Sequence, residues 1–228
     1  MAGPERTPVD VVAFFDDVST LMLAADPRLE LLGSHTDAPA HFREAAATPH
    51  RRVWNMQNRI SPRANREGMP LNDRSRGQGA ELRLVVPADQ LDQFPLLTTI
   101  QPSLRVGAVP KPLLLLDTLA FLSGPLGTPL AHTLWRTVDP GLVARAEAAY
   151  LAVWEAAVPA EDVGGLPPLP DRTRDVAFLL VDGATDKEIA AELGVSERTV
   201  SGEVRTVVRW VGARSRGHAI ALLVGAGR

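Results

Sequence analysis

Apolar residues in the C-terminal quarter of the 228-residue chain recur at helical spacing in four short segments, from Leu169 to Val224. The first segment follows Pro168 and Pro170, so that Asp171 is placed to cap a helix ending near Gly183. Its apolar face comprises Val176, Leu179 and Leu180. The pattern predicts an all-α domain of four helices at this end of the chain.

The second and third segments carry the start and stop signals of a helix-turn-helix. Thr185 and Glu188 form a capping box, and Gly194 can adopt the left-handed conformation that ends the helix. Ser196 caps the longer helix that follows, whose buried stripe is Val200, Val204, Val207 and Val211. The opposite face of that helix carries Arg198, Ser201, Gly202, Arg205 and Arg209. A second helix that projects arginines is typical of a major-groove reader.

These segments resemble the DNA-binding domain of the LuxR/NarL (GerE-type) regulators over about a quarter of the chain. The positions that match without gaps are Gly183, Lys187–Ala190, Leu193–Gly194, Ser196–Val200, Gly212 and Arg214–Arg216. The resemblance implies that the helix starting at Ser196 enters the major groove of double-stranded DNA. The phosphate contacts that it implies fall on Thr185, Lys187, Arg198 and Thr199. It also implies that the last helix, capped by Ser215, supports a homodimer through Ala219, Leu222 and Leu223.

The candidate DNA-binding residues are therefore Thr185, Lys187, Ser196, Arg198, Thr199, Ser201, Gly202, Arg205 and Arg209. The three positions after Val200 depart from the family pattern. The family usually has a lysine, a variable residue and a histidine where this chain has Ser201, Gly202 and Glu203. Loss of the lysine removes a phosphate charge, and Gly202 costs the helix about 1 kcal/mol relative to alanine. Glu203 repels phosphate, accepts from a cytosine amino group, or pairs with Arg198 or Arg209.

The first 159 residues alternate helical and strand patterns, which predicts a layered α/β domain. Helices are predicted over Val9–Leu23, near Pro39–Ala47 and over Pro140–Ala157, and Ile60–Gly79 is predicted as a loop that contains a short helix. The predicted strands are Arg52–Met56, Glu81–Val86, Ser103–Ala108, Pro112–Asp117, Leu119–Leu122 and Leu134–Val138. The run of four leucines indicates a strand buried on both faces.

This arrangement resembles the phospholipase-D-like sensor domain of TrmB-type regulators. The segments that carry the likeness are Gly77–Val86, Arg105–Asp117 and Val153–Pro159. Phospholipase-D chemistry needs a histidine nucleophile, a lysine two residues on and an aspartate five later, whereas Pro110 and Pro112 stand at the first two positions here. The domain is therefore predicted to be non-catalytic, sensing a small molecule or a protein. Asp117 is either a strand-end residue that turns the chain or a ligand contact.

Two other patterns suggest a phospho-acceptor site and a metal site, but neither pattern is complete. Val11–Asp17 and Lys111–Pro112 imitate a phospho-acceptor receiver domain, but no aspartate lies between Arg43 and Leu71, where the acceptor is needed. The polar residues His35, Asp37, His41 and His50 match no helical pair of metal ligands. We predict no metal and no cofactor.

Composition sets the remaining expectations. The chain has no cysteine, no apolar run of about 18–20 residues and no signal peptide, so it is predicted to be cytoplasmic without a membrane partner. Residues 1–159 form the first predicted domain (1–50 being a helical lead-in), 160–170 a linker rich in glycine and proline, and 171–228 the helix-turn-helix domain. From Leu169 onward, nine basic and eight acidic residues give a charge of only +1.

Two functions follow from these patterns. The first is a DNA-binding transcriptional regulator with a non-catalytic N-terminal sensing and dimerisation domain. The alternative is a protein-interaction regulator whose degenerate helix-turn-helix does not bind DNA tightly, which the weak charge and the sequence Ser201–Glu203 favour. An enzyme is not expected.

Overall fold

A computed structural model describes residues 9–60, 62–101 and 103–226. These residues form two compact units, one within Met1–Pro87 and Ser103–Pro159, and the other within Ala88–Pro102 and Ala160–Arg228. The first is an α/β unit built on an eight-stranded sheet, and the second is a helical unit. The predicted fold class is confirmed. Within the described residues, no helix has both the length and the apolar character that a membrane span requires.

The elements follow one another closely along the chain. The helices are α1 (Val9–Leu23), α2 (Ala38–Ala45), α3 (Pro62–Gly77), α4 (Asp89–Gln93), α5 (Leu97–Ile100), α6 (Pro140–Ala156), α7 (Asp171–Val181), α8 (Asp186–Leu193), α9 (Glu197–Trp210) and α10 (Arg216–Leu223). The strands are β1 (Glu30–Ser34), β2 (Arg52–Met56), β3 (Glu81–Val86), β4 (Leu104–Val106), β5 (Leu113–Leu116), β6 (Leu119–Ser123), β7 (Thr133–Thr137) and β8 (Val158–Pro159).

The sheet has the order β1-β7-β6-β5-β2-β3-β4-β8, in which β2, β3 and β4 are parallel and the other pairs are antiparallel. A two-residue turn joins β5 to β6, and Asp117 in it has a φ of +47°. The Asp117 carboxylate accepts hydrogen bonds from the backbone N–H groups of Arg51 and Arg52, both at 3.0 Å. Of the two interpretations of Asp117, the structure therefore favours the turn residue.

Helices cover both faces of this sheet. α1 and α6 pack on one face, against a core that includes Trp54, Met56 and Leu113. α2 packs on the other face through Phe42, which contacts Phe121. The leucines of β5 alternate between these two layers, so the prediction of a strand buried on both faces is confirmed.

Sequence analysis missed or misplaced several elements. The segment predicted as a loop over Ile60–Gly79 is largely the 16-residue helix α3. Its described half-buried residues include Gly68, Leu71 and Ser75, whose spacing defines a helical face that the polar composition concealed. Strands β1 and β8 and helices α4 and α5 were not predicted. β1 has no buried residue and β8 has only two residues, while α4 and α5 have five and four residues, too few to show a helical period.

The helical unit joins α4 and α5 to the four C-terminal helices. The Leu169 N–H donates to the Thr99 hydroxyl at 3.1 Å, and the Trp210 indole N–H donates to the Pro167 carbonyl at 2.7 Å. These bonds tie residues of the predicted linker to the helices of this unit. Asp171 does not cap α7 as predicted: it is the first helical residue after Pro170, and its carboxylate pairs with Arg174.

Candidate nucleic-acid interface

Helices α8 and α9 form the predicted helix-turn-helix, and their ends have the predicted caps. The Thr185 hydroxyl accepts from the Glu188 N–H at 3.3 Å, while the Glu188 carboxylate accepts from the Thr185 N–H at 2.7 Å. Gly194 ends α8 with a φ of +65°, and the Ser196 hydroxyl accepts from the Thr199 N–H at 3.2 Å. The capping bonds to Thr185 lower the pKa of Glu188, the backbone N–H contributing most.

Packing fixes which face of α9 is free to meet a ligand. The predicted stripe of Val200, Val204, Val207 and Val211 is buried, and α9 packs against α7, α8 and α10. The side chains of Arg198, Arg205 and Arg209 are exposed. Arg205 Nε donates only to the Ser201 carbonyl of its own helix, at 3.1 Å. These three arginines make no ion pair with another described residue.

The other predicted contacts divide between exposed and internally bonded side chains. Thr185, Lys187 and Ser196 are exposed, and Thr199 is half-buried at the first turn of α9. The Ser201 hydroxyl instead donates to the Asp186 carboxylate at 2.8 Å, which turns it towards α8. Gly202 is half-buried, and apart from the adjacent backbone of α9 no described atom lies within 4 Å of the place where a Cβ would be.

Asp186 links three elements of the helical unit. Besides the hydroxyl of Ser201, its carboxylate accepts from Arg216 of α10, whose guanidinium also donates to the Ala184 carbonyl at 2.5 Å. Burial acts to raise the pKa of Asp186, but the hydrogen bonds from Ser201 and Arg216 outweigh it, so the pKa lies below its usual value. The network fixes the start of α8 against α9 and α10.

Glu203 makes none of the three interactions that were considered from the sequence. Its carboxylate accepts from the Thr173 hydroxyl and from Arg172 Nε, both at 2.7 Å and both on α7. The hydrogen bond from Thr173, followed by that from Arg172, lowers the pKa of Glu203. The pairing with Arg198 or Arg209 was a wrong alternative, because Glu203 lies three and four residues from Val200 and Val207 on the face that meets α7.

A groove lies between α9 and α10 within the helical unit. Its volume is about 700 Å³, and its lining residues are Gly202, Val204, Arg205, Val208, Arg209, Ser215 and Arg216. Arg205 and Arg209 give it a positive charge, whereas Arg216 is paired with Asp186, and no acidic side chain of the described residues lines it. A groove of this charge, continuous with the exposed face of α9, suits an anionic ligand such as a phosphate backbone.

The residues predicted to support a homodimer pack inside the helical unit of one chain. Ala219, Leu222 and Leu223 are buried in the helical unit, because the spacing of three and one places them together on the inward face of α10. Val224, just beyond the helix, is 43% exposed, and Ile220 and Ala221 are half-buried. The apolar pattern of α10 thus identified a packing face within one chain.

The polar residues of the α/β unit that could have suggested a metal lie apart. His41 Nε2 is 3.2 Å from the Leu32 carbonyl oxygen, and His50 Nε2 is 2.9 Å from that of Ala45. His35 lies edge-on to the ring of His132. In the part of the chain that the structure describes, no group of three or more His, Asp or Glu side chains could hold a metal ion.

The matches to known protein sequences fall in the helical unit. Residues 167–223 match the family described as bacterial regulatory proteins, luxR family. Over 58 residues the chain is 40% identical to the spore germination protein GerE of Bacillus subtilis (strain 168), an alignment that covers 25% of this chain and 78% of GerE.

Comparison with solved structures gives weaker likenesses. TrmBL2, an archaeal chromatin protein, is 15% identical with a TM-score of 0.47, over 64% of this chain and 63% of that chain. The phage VqmA–DPO complex is 28% identical with a TM-score of 0.26, over 48% of this chain and 46% of that chain. The Vibrio cholera VqmA–ligand–DNA complex is 19% identical with a TM-score of 0.26, over 51% and 49%. The chain spans less than two thirds of each of these structures.

Proposed function

The chain belongs to the luxR family of bacterial regulatory proteins through residues 167–223, and we propose that it is a transcriptional regulator that binds duplex DNA through α8 and α9. The observation that carries this proposal is the free face of α9. Arg198, Arg205 and Arg209 are exposed there without an ion pair to a described residue, while Glu203, the acid in the middle of α9, is bonded to α7.

The proposed contacts follow from this geometry. α9 would lie in the major groove, with Arg198 and Arg205 donating to base edges or phosphates. Side chains that would contact the phosphate backbone are Thr185, Lys187, Ser196, Thr199 and Arg209. Ser201 and Gly202 would lie at the groove, where the missing side chain of Gly202 permits close approach.

The front part of the chain is proposed to sense an effector and to support a homodimer. A non-catalytic role is supported by Pro110 and Pro112, which stand where phospholipase-D chemistry needs its nucleophile and its cation.

Helix α10 is proposed to contribute to the same homodimer. Ala219, Leu222 and Leu223 would support the dimer by holding α10 in place, and Ile220 and Val224 offer apolar surface to a partner. A regulator of bacterial genes would act in the cytoplasm.

The second candidate is a regulator that acts through protein contacts and does not bind DNA tightly. Two observations favour it. The hydroxyl of Ser201 is already bonded to Asp186, and residues from Leu169 onward carry nine basic and eight acidic side chains. A nearly neutral unit has little of the long-range attraction on which non-specific DNA binding depends.

The test is a DNA titration at several salt concentrations. Duplexes would be selected by the purified chain from a random library, and affinity then measured for the wild type, Arg205→Ala and Arg198→Ala. We expect each variant to weaken binding, by about tenfold for a base contact, or to lower the salt slope by about one unit for a phosphate contact. Arg136→Ala, which removes the same charge from β7, is the control and should leave both quantities unchanged.

Two results would overturn the proposal. One is the absence of any saturable, salt-sensitive binding to the selected duplexes. The other is saturable binding that Arg198→Ala and Arg205→Ala weaken no more than Arg136→Ala does. Either result would favour the protein-contact candidate.

A further inference from the structure

The α/β unit contains a cavity of about 180 Å³ on the face of the sheet that α2 covers. Phe42 of α2 and Leu114 and Phe121 of the sheet form its apolar walls. Phe42 and Phe121 meet edge to face, with ring centroids 5.1 Å apart. An apolar cavity of about 150 Å³ accepts a benzene-sized molecule, so this one has room for a single ring with a small substituent.

A polar residue in the middle of the sheet opens into this cavity. Asn55 lies at the centre of β2, where its partners in register are Leu84 of β3 and Leu114 of β5. Asparagine is depleted in strands and is an unusual choice between two leucines. Gln57, two residues on, lines the same cavity. Neither side-chain amide has a hydrogen bond to another described residue, although Asn55 and Gln57 are both half-buried.

The two amides are accessible in the cavity and have no partner among the described residues, so that each is free to bond a ligand. A polar ligand would supply the hydrogen-bond partner that each amide lacks within the chain. The sheet places the two amides on one side of the cavity, because residues i and i+2 of a strand share a face. They can therefore bind the polar substituent of a ring that lies against Phe42 and Phe121.

The remaining polar lining sets the charge of that ligand. Arg59, His35 and Ser123 line the cavity, and no acidic side chain does so among the residues that the structure describes. Burial, with a smaller effect from the neighbouring His132, lowers the pKa of His35 and favours its neutral imidazole. Arg59 is thus the permanent cation among the described lining residues, and its planar guanidinium matches a carboxylate in a bidentate arrangement.

We propose that this cavity binds a small monocyclic carboxylate, whose ring packs against Phe42 and Phe121 and whose carboxylate meets Arg59 and the amides of Asn55 and Gln57. The inference rests on the proposed function in one respect: it names the site and the chemical class of the effector that a sensing unit requires.

The test uses the full chain with benzoate as the probe and benzamide, the same ring without the charge, as the comparison. Binding is measured by calorimetric titration up to the millimolar range, without DNA. We expect saturable binding of benzoate and at least about tenfold weaker binding of benzamide. Arg59→Gln and Asn55→Leu should each weaken benzoate binding at least about tenfold. Arg51→Gln, which removes the same charge just before β2, should change it by less than about twofold.

The thermal unfolding of each variant separates loss of the site from loss of the fold. Asn55→Leu should not lower the unfolding temperature of the free protein, because leucine suits a strand position between Leu84 and Leu114 better than asparagine does. Absence of saturable benzoate binding by the folded wild type would overturn the proposal. Equal binding of benzamide, or equal effects of Arg59→Gln and Arg51→Gln, would overturn it too.

These outcomes are distinct from a failure of the proposed function. If benzoate does not bind but selected duplexes do, only the assignment of the cavity fails. If benzoate binds with the expected variant pattern but no duplex does, the cavity stands and the proposed DNA-binding function fails.

Discussion

The carboxylate of Glu203 on α9 accepts a hydrogen bond at 2.7 Å from the hydroxyl of Thr173 on α7, thirty residues earlier in the chain. Glu203 follows the turn of α9 that we propose to contact DNA, at a position where an acid would ordinarily repel phosphate. Because the bond to Thr173 and the ion pair with Arg172 hold the carboxylate against α7, its charge is directed away from the exposed arginines. The acid therefore stabilises the helical unit.

Replacement of Glu203 by alanine should destabilise the protein. Thr173 is buried, and its hydroxyl would lose its acceptor, so we expect the free energy of unfolding to fall by about 1–3 kcal/mol in a urea titration. Thr173→Val in the same background should restore part of the loss. Glu192→Ala, an exposed acid on α8, is the control and should change stability by less than about 0.5 kcal/mol. Unchanged stability of Glu203→Ala with much tighter DNA binding would contradict the internal position of Glu203.

The free energy of unfolding should also fall in acid because the carboxylate of Glu203 becomes protonated. The pKa of Glu203 lies below its ordinary value of 4.5, chiefly because the Thr173 hydroxyl donates to it. Its stabilising effect is complete above that ordinary value and is lost as the pH falls through the lower pKa of the folded state. We expect the urea midpoint to decrease between about pH 6 and about pH 3, and Glu203→Gln to make the decrease smaller. An unchanged pH dependence in Glu203→Gln would contradict this linkage.

Two glycines of the helical unit should respond to alanine with opposite signs. Gly202 lies within α9 with open space around it, so Gly202→Ala should raise the free energy of unfolding by about 0.5–1 kcal/mol. Gly194 has a φ of +65°, so Gly194→Ala should lower it by about 1 kcal/mol. Both values come from urea unfolding of the full chain. A loss of stability in Gly202→Ala would show that α9 does not tolerate a side chain there.

Asp117 offers a test of the turn that joins β5 to β6. Asp117→Ala removes the acceptor for two backbone N–H groups and places a Cβ residue without a polar group at a φ of +47°. We expect a loss of about 1–3 kcal/mol in the free energy of unfolding, and a smaller loss for Asp117→Asn, which tolerates this conformation. Asp73→Ala, which removes an exposed acid from α3, is the control. Equal stability of Asp117→Ala and the wild type would contradict the structural role.

The features that sequence analysis predicted well are those that depend on neighbours along the chain. The capping box at Thr185, the turn at Gly194 and the valine stripe of α9 are all local patterns of spacing. The position of Glu203 could not be predicted, because its partner lies on another helix and nothing local selects Thr173 over Arg198 or Arg209. The apolar face of α10 was recognised, but periodicity does not say whether such a face meets its own chain or a second one. The cavity beside Asn55 required knowledge of which strands flank β2.

Helices α4 and α5 belong to the helical unit, although in the chain they lie between strands β3 and β4 of the α/β unit. The backbone passes from one unit to the other at 87–88, at 102–103 and again at 159–160. A fragment that begins at Ala160 would lack Thr99, the acceptor for the Leu169 N–H. The two units are thus interleaved in the chain rather than arranged in tandem. A single cleavage does not release an intact helical unit, and recombination would have to exchange two segments to replace it.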